Sequence, residues 1–199
     1  MKKKVIVYSD YICPFCFIGK HRMDKLQEEL DVEIEYRGLE IHPETPPEGQ
    51  TLEEMGLNPH YIEMVIENVN RLAAEIALEL KSPPKISNSR RALVLAEYAK
   101  ENNKFYEYHC EVFKAYWQDQ LDIGNIDVLS DIMERIGLDS KEAMKYLEEE
   151  RAKDKVEKFL MQAKSLGIDG VPTFVIGTII IEGAQPYEVI RAAIEKESC

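Results

Sequence analysis

The chain has 199 residues, 45% of them hydrophobic and 31% charged, fractions that are typical of a globular protein with a sizeable core. Its 37 acidic and 25 basic side chains give a formal net charge of −12. That charge argues against a broad phosphate-binding surface, so nucleic acid is not an expected partner. No stretch approaches the ~20 consecutive apolar residues that span a bilayer, and we predict no membrane partner.

The first residues combine three lysines with a short apolar run. This run, Val5 to Tyr8, is well below the ~7–15 apolar residues of a signal-peptide core, and Ser9-Asp10 follows it. We therefore interpret the start as the first strand of a domain and predict a cytoplasmic location. Four cysteines in a chain of this length do not make a disulfide scaffold. In a reducing compartment, a closely spaced pair is expected to be catalytic or metal-binding.

The opening of the chain alternates between strand and helix patterns. β-branched residues between Val5 and Tyr8 predict a short buried strand. Pro14 suits the first turn of a helix, where its missing N–H costs no hydrogen bond, and apolar residues extend this helix to about Leu30. Alternation of apolar and charged residues from Val32 to Arg37 then predicts a second strand.

A proline-rich connector from His42 to Gly49 separates this opening from a block of helical patterns that reaches about residue 150. Asn88 or Ser89 is expected to cap one of these helices, and Gly137 to end another. The apolar stripe of the first helix consists of Tyr61, Met64, Val65, Val69, Leu72, Ala73, Ile76 and Leu80. A later aromatic stripe, interpreted as core rather than as a ligand site, consists of Tyr108, Phe113, Tyr116 and Trp117.

The end of the chain returns to a mixed pattern. A helix to about Gly167 precedes two strands, Gly170 to Ile176 and Ile179 to Ile181, and a last helix follows. The order is therefore β-α-β, a helical block, then α-β-β-α, which predicts one α/β layer structure with an all-helical insertion. We place the first half of the α/β domain at residues 1–45, the insertion at 46–150, and the second half at 151–199.

Cys13 and Cys16, in the segment Tyr11-Ile-Cys-Pro-Phe-Cys-Phe17, are the candidate reactive groups. Two thiols three positions apart can close a disulfide, and unpaired N–H groups at a helix start favour a thiolate at the first of them. We expect Cys13 to be exposed and Cys16 to be more deeply buried. A structural metal site is disfavoured because no second Cys-x-x-Cys or His-x₃-His pattern exists, so no metal is predicted.

Two segments of the sequence resemble motifs of a known superfamily. Cys13-Pro-Phe-Cys16 after the first strand and Gly170-Val-Pro-Thr-Phe174 before the third resemble the thioredoxin fold, and the helical insertion resembles its DsbA-type branch. Matches to FrnE-like members of that branch are Ser9-Asp-x-x-Cys-Pro-Phe-Cys, Ile18-Gly-Lys20, Asn88-Ser89, Phe113-Lys-Ala-Tyr116 and Gly183-Ala-Gln-Pro186. The resemblance implies a thioredoxin fold with an inserted helical domain. It also implies thiol–disulfide exchange with a protein or small-molecule substrate.

Carried over by position, the resemblance implies three catalytic residues. Cys13 is the expected nucleophile, Cys16 the resolving thiol, and Pro172 a cis-proline packed against them. A cis bond before proline costs only ~0.5–1 kcal/mol over trans, so packing can impose it. The alternative for Pro172 is an ordinary proline at the start of a strand.

Further residues are candidates for the substrate site. The backbone of Val171 is expected to pair with substrate, while Pro14 and Phe15 are expected to line an apolar surface unless Phe15 simply packs. Asn88 is interpreted as a helix cap, with lining of the active-site cleft as a secondary role. Asp10 either accepts a proton during exchange or satisfies N–H groups of its own loop.

Two other functions remain open at this point. Glutathione-dependent isomerases and transferases of the 2-hydroxychromene-2-carboxylate isomerase and kappa-class types share the architecture, but they usually carry serine at the nucleophile position. A non-catalytic binding module is the other alternative. No cofactor is predicted, with glutathione as a candidate co-substrate, and the chain is expected to be a monomer or a homodimer. Cys110 is interpreted as a small core residue and Cys199 as a frayed terminal thiol.

Overall fold

In the computed structural model, which describes residues 2–197, one sheet contains four strands in the order β2-β1-β3-β4. These strands are β1 (Lys3–Ser9), β2 (Val32–Gly38), β3 (Thr173–Ile176) and β4 (Ile179–Glu182). β1 pairs in parallel with β2 and antiparallel with β3, and β3 and β4 form an antiparallel hairpin. The predicted α/β class is therefore confirmed.

The helices follow the predicted order of a β-α-β unit, a helical block and an α-β-β-α unit. Within the described residues they are α1 (Pro14–Glu29), α2 (Pro59–Ala74), α3 (Arg90–Glu101), α4 (Phe105–Trp117), α5 (Ile126–Arg135), α6 (Ser140–Glu148), α7 (Glu150–Ser165) and α8 (Tyr187–Lys196). None of these helices is long and apolar enough to cross a bilayer.

Both faces of the sheet are covered by helices. On one face, Val5 and Val7 of β1 pack in the same apolar cluster as Met23 of α1 and Ile190 of α8. On the other face, alternate strand residues pack against α7. This alternation follows from the two-residue period of a strand, which points successive side chains to opposite faces. Helices α2 to α6 lie in the predicted insertion.

The helical insertion shares its core with the start of α1. The aromatic stripe on α4 is fully buried or nearly so, which confirms its interpretation as core, and Cys13 and Cys16 belong to the same packed cluster. Gly137 has a φ of +82° just after α5, so the predicted glycine stop is also confirmed. Cys13 and Cys16 therefore lie where the sheet domain meets the insertion.

Helix α2 is shorter than the sequence predicts. It ends at Ala74, whereas the apolar stripe continues to Leu80. The chain leaves the helix because Ala77 adopts a left-handed φ of +52° and the N–H of Leu78 returns to the carbonyl of Ala73 at 2.9 Å. Leu78 and Leu80 still pack against the end of α2, but as extended chain.

A glycine in α1 brings this helix close to the strand that follows Pro172. A Cβ added at Gly19 would lie 3.2 Å from Cζ of Phe174 and 3.4 Å from Cγ of Pro172. The first distance is shorter than an ordinary contact, and the second is at the lower limit of one, so Phe174 would have to shift. Gly19 therefore allows the first turns of α1, with Cys16, to pack directly on β3 and its entry.

Candidate active site

Cys13 is the N-cap residue of α1, and Pro14 occupies the first turn, as the sequence predicts. The backbone of Cys13 is extended, with φ −91° and ψ 117°. The carbonyl of Cys13 accepts hydrogen bonds from the N–H groups of Cys16 at 3.1 Å and Phe17 at 3.4 Å. No side chain caps this helix start. The positive end of the helix dipole therefore lies at Cys13.

The predicted exposure of Cys13 is wrong. Its side chain is 3% exposed, nearly as buried as Cys16 at 2%. The Cys13 thiol lies 3.6 Å from the carbonyl oxygen of Val171, to which it donates, and Phe15 packs against the same cluster. The sulfur is covered by segments that are distant in sequence.

Cys16 lies one helical turn behind Cys13. The N–H of Asp10 donates to the Cys16 sulfur at 3.5 Å. Burial raises the pKa of the Cys16 thiol well above its ordinary value, and a hydrogen bond with Cys13 raises it further. Within the described part of the chain, Cys13 and Cys16 are both free thiols, so this is the reduced pair.

Pro172 is buried close to Cys13 and Cys16. The Val171–Pro172 peptide bond is cis, and the carbonyl of Pro172 accepts a hydrogen bond from the N–H of Gly183 at 2.8 Å. That bond anchors the turn before β3 to the segment that follows β4. Val171 is half-buried, with its carbonyl oxygen next to Cys13, so the structure brings together the residues that the two motifs contribute.

Asp10 is fully buried, and its carboxylate satisfies backbone groups of nearby loops. One oxygen accepts from the N–H of Ile12 at 3.4 Å, and the other from the N–H of Ile41 at 2.9 Å. Burial raises the pKa of Asp10 to about 6, although these bonds and one with Ser89 act in the opposite direction. This geometry favours the interpretation as a loop anchor over the interpretation as a proton acceptor.

Asn88 acts as the cap of α3, although it lies one residue before the formal N-cap, Ser89. The side-chain oxygen of Asn88 accepts from the N–H of Arg90 at 3.1 Å, and its amide donates to the carbonyl of Thr45 at 2.6 Å. The side chain of Ser89 makes no capping bond and instead bonds to Asp10. Of the two predicted caps, Asn88 makes the capping bond.

Tyr11 is a site residue whose role the sequence did not reveal. Its carbonyl accepts a hydrogen bond from the indole N–H of Trp117 at 2.8 Å, and its hydroxyl lies 3.1 Å from Nδ1 of His109. Its ring meets that of Phe113 edge-on, with 4.9 Å between centroids. Helix α4 therefore holds the loop two residues before Cys13.

Arg22 is a second residue whose role the sequence did not reveal. Its side chain is 3% exposed, and its guanidinium donates to the carbonyls of Ala184 at 2.6 Å and Gln185 at 2.8 Å. It also pairs with Glu75 after α2. Arg22 thus ties α1 to the segment Gly183-Ala-Gln-Pro186 that the family resemblance singled out.

The interpretation of Cys110 as a core residue is wrong. Cys110 is half-buried, and its thiol interacts with the ammonium of Lys20 and the hydroxyl of Tyr106. Lys20 packs on this side of α4, so the position is polar. Cys199 lies outside the described residues. Among residues 2–197, no three His, Cys, Asp or Glu side chains are grouped as metal ligands would be.

Comparison with known proteins yields a family match and several similar structures. A family model described as the DSBA-like thioredoxin domain matches residues 4–195. The uncharacterized protein YwbO of Bacillus subtilis (strain 168) is 32% identical over 200 residues, which cover 99% of this chain and 98% of YwbO.

Two solved structures share the fold over nearly the whole chain. A probable DsbA oxidoreductase, SCO1869 from Streptomyces coelicolor, has a TM-score of 0.86 at 24% identity, covering 99% of this chain and 92% of that one. A 2-hydroxychromene-2-carboxylate isomerase has a TM-score of 0.82 at 19% identity, covering 97% and 95%. The predicted thioredoxin fold with a helical insertion is confirmed.

Proposed function

The chain belongs to the DsbA-like thioredoxin domain family, and on this premise we propose that it is a thiol–disulfide oxidoreductase whose redox pair is Cys13 and Cys16. The observation that carries the proposal is the position of Cys13. Its sulfur lies at the start of α1, in contact with a second thiol and 3.6 Å from the carbonyl of Val171. The attacking species in exchange is a cysteine thiolate, and this position leaves the Cys13 sulfur next to its proposed resolving partner.

The proposed exchange has two steps. The Cys13 thiolate attacks one sulfur of a substrate disulfide, so that a mixed disulfide forms and the other substrate sulfur leaves as a thiolate. Cys16 then loses its proton and attacks the Cys13 sulfur, which closes the Cys13–Cys16 disulfide and releases the second substrate thiolate. The substrate gains two electrons and the protein loses two. The reverse sequence oxidises a substrate dithiol.

The Val171–Pro172 segment is the proposed docking element for substrate. The carbonyl oxygen of Val171 lies 3.6 Å from the Cys13 sulfur, so the backbone of Val171 is placed where an extended chain can pair with it. Pro14 and Phe15 are both half-buried and supply apolar surface next to the sulfur. Asn88 is engaged in capping, so its proposed contribution is limited to the wall of the cleft.

The proposed substrates are disulfides or thiols of proteins or small molecules, with glutathione as a co-substrate. For the predicted cytoplasmic location, the direction of electron flow follows from the reduction potential of the pair. Known relatives span roughly −270 mV for thioredoxin to −120 mV for DsbA. A value near the first favours substrate reduction, and a value near the second favours substrate oxidation.

A redox titration tests the proposal directly. The protein is equilibrated in glutathione buffers of graded potential, and the Cys13–Cys16 disulfide is quantified by mass spectrometry after acid quench and alkylation. We expect one reversible two-electron transition. The Cys110→Ser variant is the matched control and should titrate identically, because Cys110 is not part of the pair. If no buffer yields the Cys13–Cys16 disulfide, the proposed function is wrong.

Substitution of the cis-proline tests the docking element. Pro172→Ala is expected to slow exchange with disulfide substrates or to accumulate mixed disulfides on Cys13, while the redox transition persists. Exchange rates and mixed disulfides are measured by stopped-flow and mass spectrometry. An exchange rate equal to that of the wild type would remove Pro172 from the proposed site.

A glutathione-dependent isomerase is the second candidate, and one observation favours it. Cys13 is 3% exposed, so a small molecule reaches its sulfur more readily than a folded protein does. The structural similarity to a 2-hydroxychromene-2-carboxylate isomerase is consistent with this alternative. A Cys13→Ser variant distinguishes the two functions. Full retention of glutathione-dependent activity on a small electrophile would support the isomerase, whereas complete loss of disulfide exchange supports the oxidoreductase.

A further inference from the structure

Strand β2 forms one edge of the sheet. The strand order is β2-β1-β3-β4, and within residues 2–197 β2 pairs on one side only, with β1. The other side of an edge strand carries backbone N–H and C=O groups that its ladder does not use, and a further strand can bond to them. The surroundings of these groups therefore decide whether this edge is closed or open.

The direction of each peptide group in β2 follows from two hydrogen bonds at the ends of its ladder with β1. The N–H of Lys3 donates to the carbonyl of Asp31 at 3.2 Å, and the N–H of Leu39 donates to the carbonyl of Ser9 at 3.0 Å. Successive residues of a strand direct these groups to alternate edges, so the odd-numbered residues from 31 to 39 bond to β1. The residues whose backbone groups point away from β1 are Val32, Ile34 and Tyr36.

The two ends of this outer edge are already bonded. The N–H of Val32 donates to the carbonyl of Leu30 at 2.9 Å, and the ammonium of Lys100 donates to the carbonyl of Tyr36. Between these ends, the carbonyl of Val32, both backbone groups of Ile34 and the N–H of Tyr36 have no hydrogen-bond partner among the described residues. One added strand could pair with all four groups, because they follow one another along the edge.

A groove runs along this stretch of β2. Its volume is about 590 Å³, within the ~300–1,000 Å³ of ordinary ligand sites. Helix α1 contributes Asp24 and Gln27 to its lining, and the start of α4 contributes Phe105 and Tyr106, the latter 55% exposed. Ile34 lines the groove as well, so its unused backbone groups border open space rather than packed protein.

The two faces of this edge differ in polarity. Ile34 packs in the same apolar cluster as Phe105, so side chains of an added strand on that face would meet apolar surface. Glu33 and Glu35 alternate with these residues and project from the opposite face. Glu35 already has two basic partners, whereas the exposed Glu33 has no ion-pair partner within residues 2–197. The edge therefore fits an extended segment in which apolar side chains alternate with lysine or arginine.

A second copy of this chain is a poor occupant of the edge. Two copies of β2 related by a two-fold axis would pair antiparallel, with the axis on or beside Ile34. That pairing places Glu33 opposite Glu35, or each glutamate opposite its own copy, and like charges directly opposite each other destabilise a strand pair. The net charge of −12 on each copy adds to the repulsion. The charges therefore favour a different polypeptide.

We propose that the outer edge of β2 docks an extended segment of a partner polypeptide in which apolar and basic side chains alternate. The segment adds a fifth strand to the sheet, with its backbone bonded to Ile34 and its neighbours on the edge. Its apolar side chains enter the groove beside Phe105, and a basic side chain pairs with Glu33. Backbone bonds supply affinity, and the alternating side chains supply specificity. The proposal does not depend on the redox function of Cys13 and Cys16.

A blocked peptide, acetyl-Val-Lys-Val-Lys-Val-Lys-Val-amide, is the probe for this edge. Amide hydrogen exchange of the full chain is followed by NMR, residue by residue, with and without saturating peptide. We expect exchange of the Ile34 and Tyr36 N–H groups to slow about tenfold or more. The N–H groups of Glu33 and Glu35 already bond to β1 and should change little. This alternation distinguishes an added strand from a peptide that merely covers the groove.

Two substitutions separate backbone pairing from charge. Ile34→Pro removes an N–H that faces away from β1, so peptide binding should be lost while the ladder remains, whereas Ile34→Val keeps the N–H and should keep binding. Glu33→Lys should weaken binding of the fluorescein-labelled peptide about threefold or more, measured by anisotropy. Glu63→Lys in α2 is the matched control, because it makes the same change in net charge at an exposed position outside the groove and should leave binding unchanged.

Several results would overturn the proposal. They are the absence of peptide binding at millimolar concentration, equal slowing of exchange at all four amides, and equal binding by Glu33→Lys and Glu63→Lys. Equally tight binding of a peptide with glutamate in place of lysine is another. If circular dichroism shows that Ile34→Pro is unfolded, the exchange pattern of the unsubstituted chain and the two glutamate variants decide. A dimer in sedimentation equilibrium whose Ile34 and Tyr36 amides are protected without peptide would assign the edge to a second copy instead.

Discussion

Helices α2 and α4 both belong to the insertion and both approach the start of α1, but they differ in how they are packed. Tyr108, Val112, Phe113 and Tyr116 of α4 are each 0% exposed. Helix α2 buries only its last turns, around Val69, Leu72 and Ala73, and its earlier residues Tyr61 and Met64 are 56% and 54% exposed. Helix α4 is therefore packed along its length, whereas α2 is packed at its C-terminal end.

The difference shows which part of the insertion determines the position of Cys13. Helix α4 holds Tyr11 through Trp117 and His109, so a shift of α4 moves the loop that ends at Cys13. The end of helix α2 packs in one apolar cluster with Ile18 and Phe15 of α1. Substitutions in α4 should therefore affect both stability and chemistry, and substitutions in the first turns of α2 should affect neither.

The largest expected effect is that of Phe113→Ala. Phe113 is fully buried and stacks on Phe17 with 5.0 Å between ring centroids, so truncation leaves a cavity between α4 and α1. We expect a loss of about 3–5 kcal/mol in the free energy of unfolding, measured by denaturant titration. Tyr61→Ala in α2 is the control, with a change of at most about 0.5 kcal/mol. Equal losses in the two variants would refute the distinction between the helices.

A second prediction concerns Asp10, in the loop before Cys13, and how its titration makes the stability of the protein depend on pH. The pKa of Asp10 is raised by burial from 3.8 to about 6, so the folded state binds its proton more tightly than the unfolded state does. The contribution of Asp10 to stability is full below pH 3.8 and is lost as the pH rises through about 6. The loss amounts to about 3 kcal/mol, since one pKa unit is 1.36 kcal/mol.

Asp10→Asn isolates this contribution. Unfolding free energies of the wild type and the variant are compared across the interval from pH 3.8 to above 6. The variant lacks the titrating group, so its stability relative to the wild type should improve steadily as the pH rises. Because other carboxylates titrate in both proteins, only the difference between the two curves is diagnostic. Parallel curves would mean that Asp10 is not buried as described.

Local features of the site could be predicted from the sequence because neighbouring residues determine them. An apolar strand, Cys13, and Pro14 in the first turn suffice to place a thiol at a helix start. The glycine stop at Gly137 and the cap at Asn88 likewise depend on single residues next to the helix ends. Each of these features follows from the conformational preferences of residues that are adjacent in sequence.

The remaining features depend on contacts between distant segments. Cys13 is buried because Val171 packs on it, and 157 residues separate the two along the chain. The polar setting of Cys110 arises because Lys20 of α1 lies beside it, which helical periodicity within α4 does not reveal. The role of Tyr11 depends on which aromatic residues of α4 face it. Only the assembled fold specifies these pairs.

The smallest expected effect concerns the hydroxyl of Tyr11, which contacts His109 of α4. Tyr11→Phe keeps the aromatic packing with Phe113 but removes the hydroxyl that lies 3.1 Å from Nδ1 of His109. Burial lowers the pKa of His109 well below its ordinary value, so the imidazole is neutral, and since its Nε2 already has no partner among residues 2–197, loss of the Tyr11 hydroxyl would leave both buried ring nitrogens unpaired. We expect a loss of about 1–3 kcal/mol in the free energy of unfolding.

Tyr61→Phe in α2 is the matched control, because it removes an exposed tyrosine hydroxyl and should leave stability unchanged. The rate at which iodoacetamide alkylates Cys13 provides a second measurement. A loosened redox loop should uncover the Cys13 sulfur, which is 3% exposed, so alkylation should be faster in Tyr11→Phe and unchanged in Tyr61→Phe. If Tyr11→Phe loses stability without faster alkylation, α4 stabilises the fold but does not position Cys13. The contrast between the two helices would then concern packing alone.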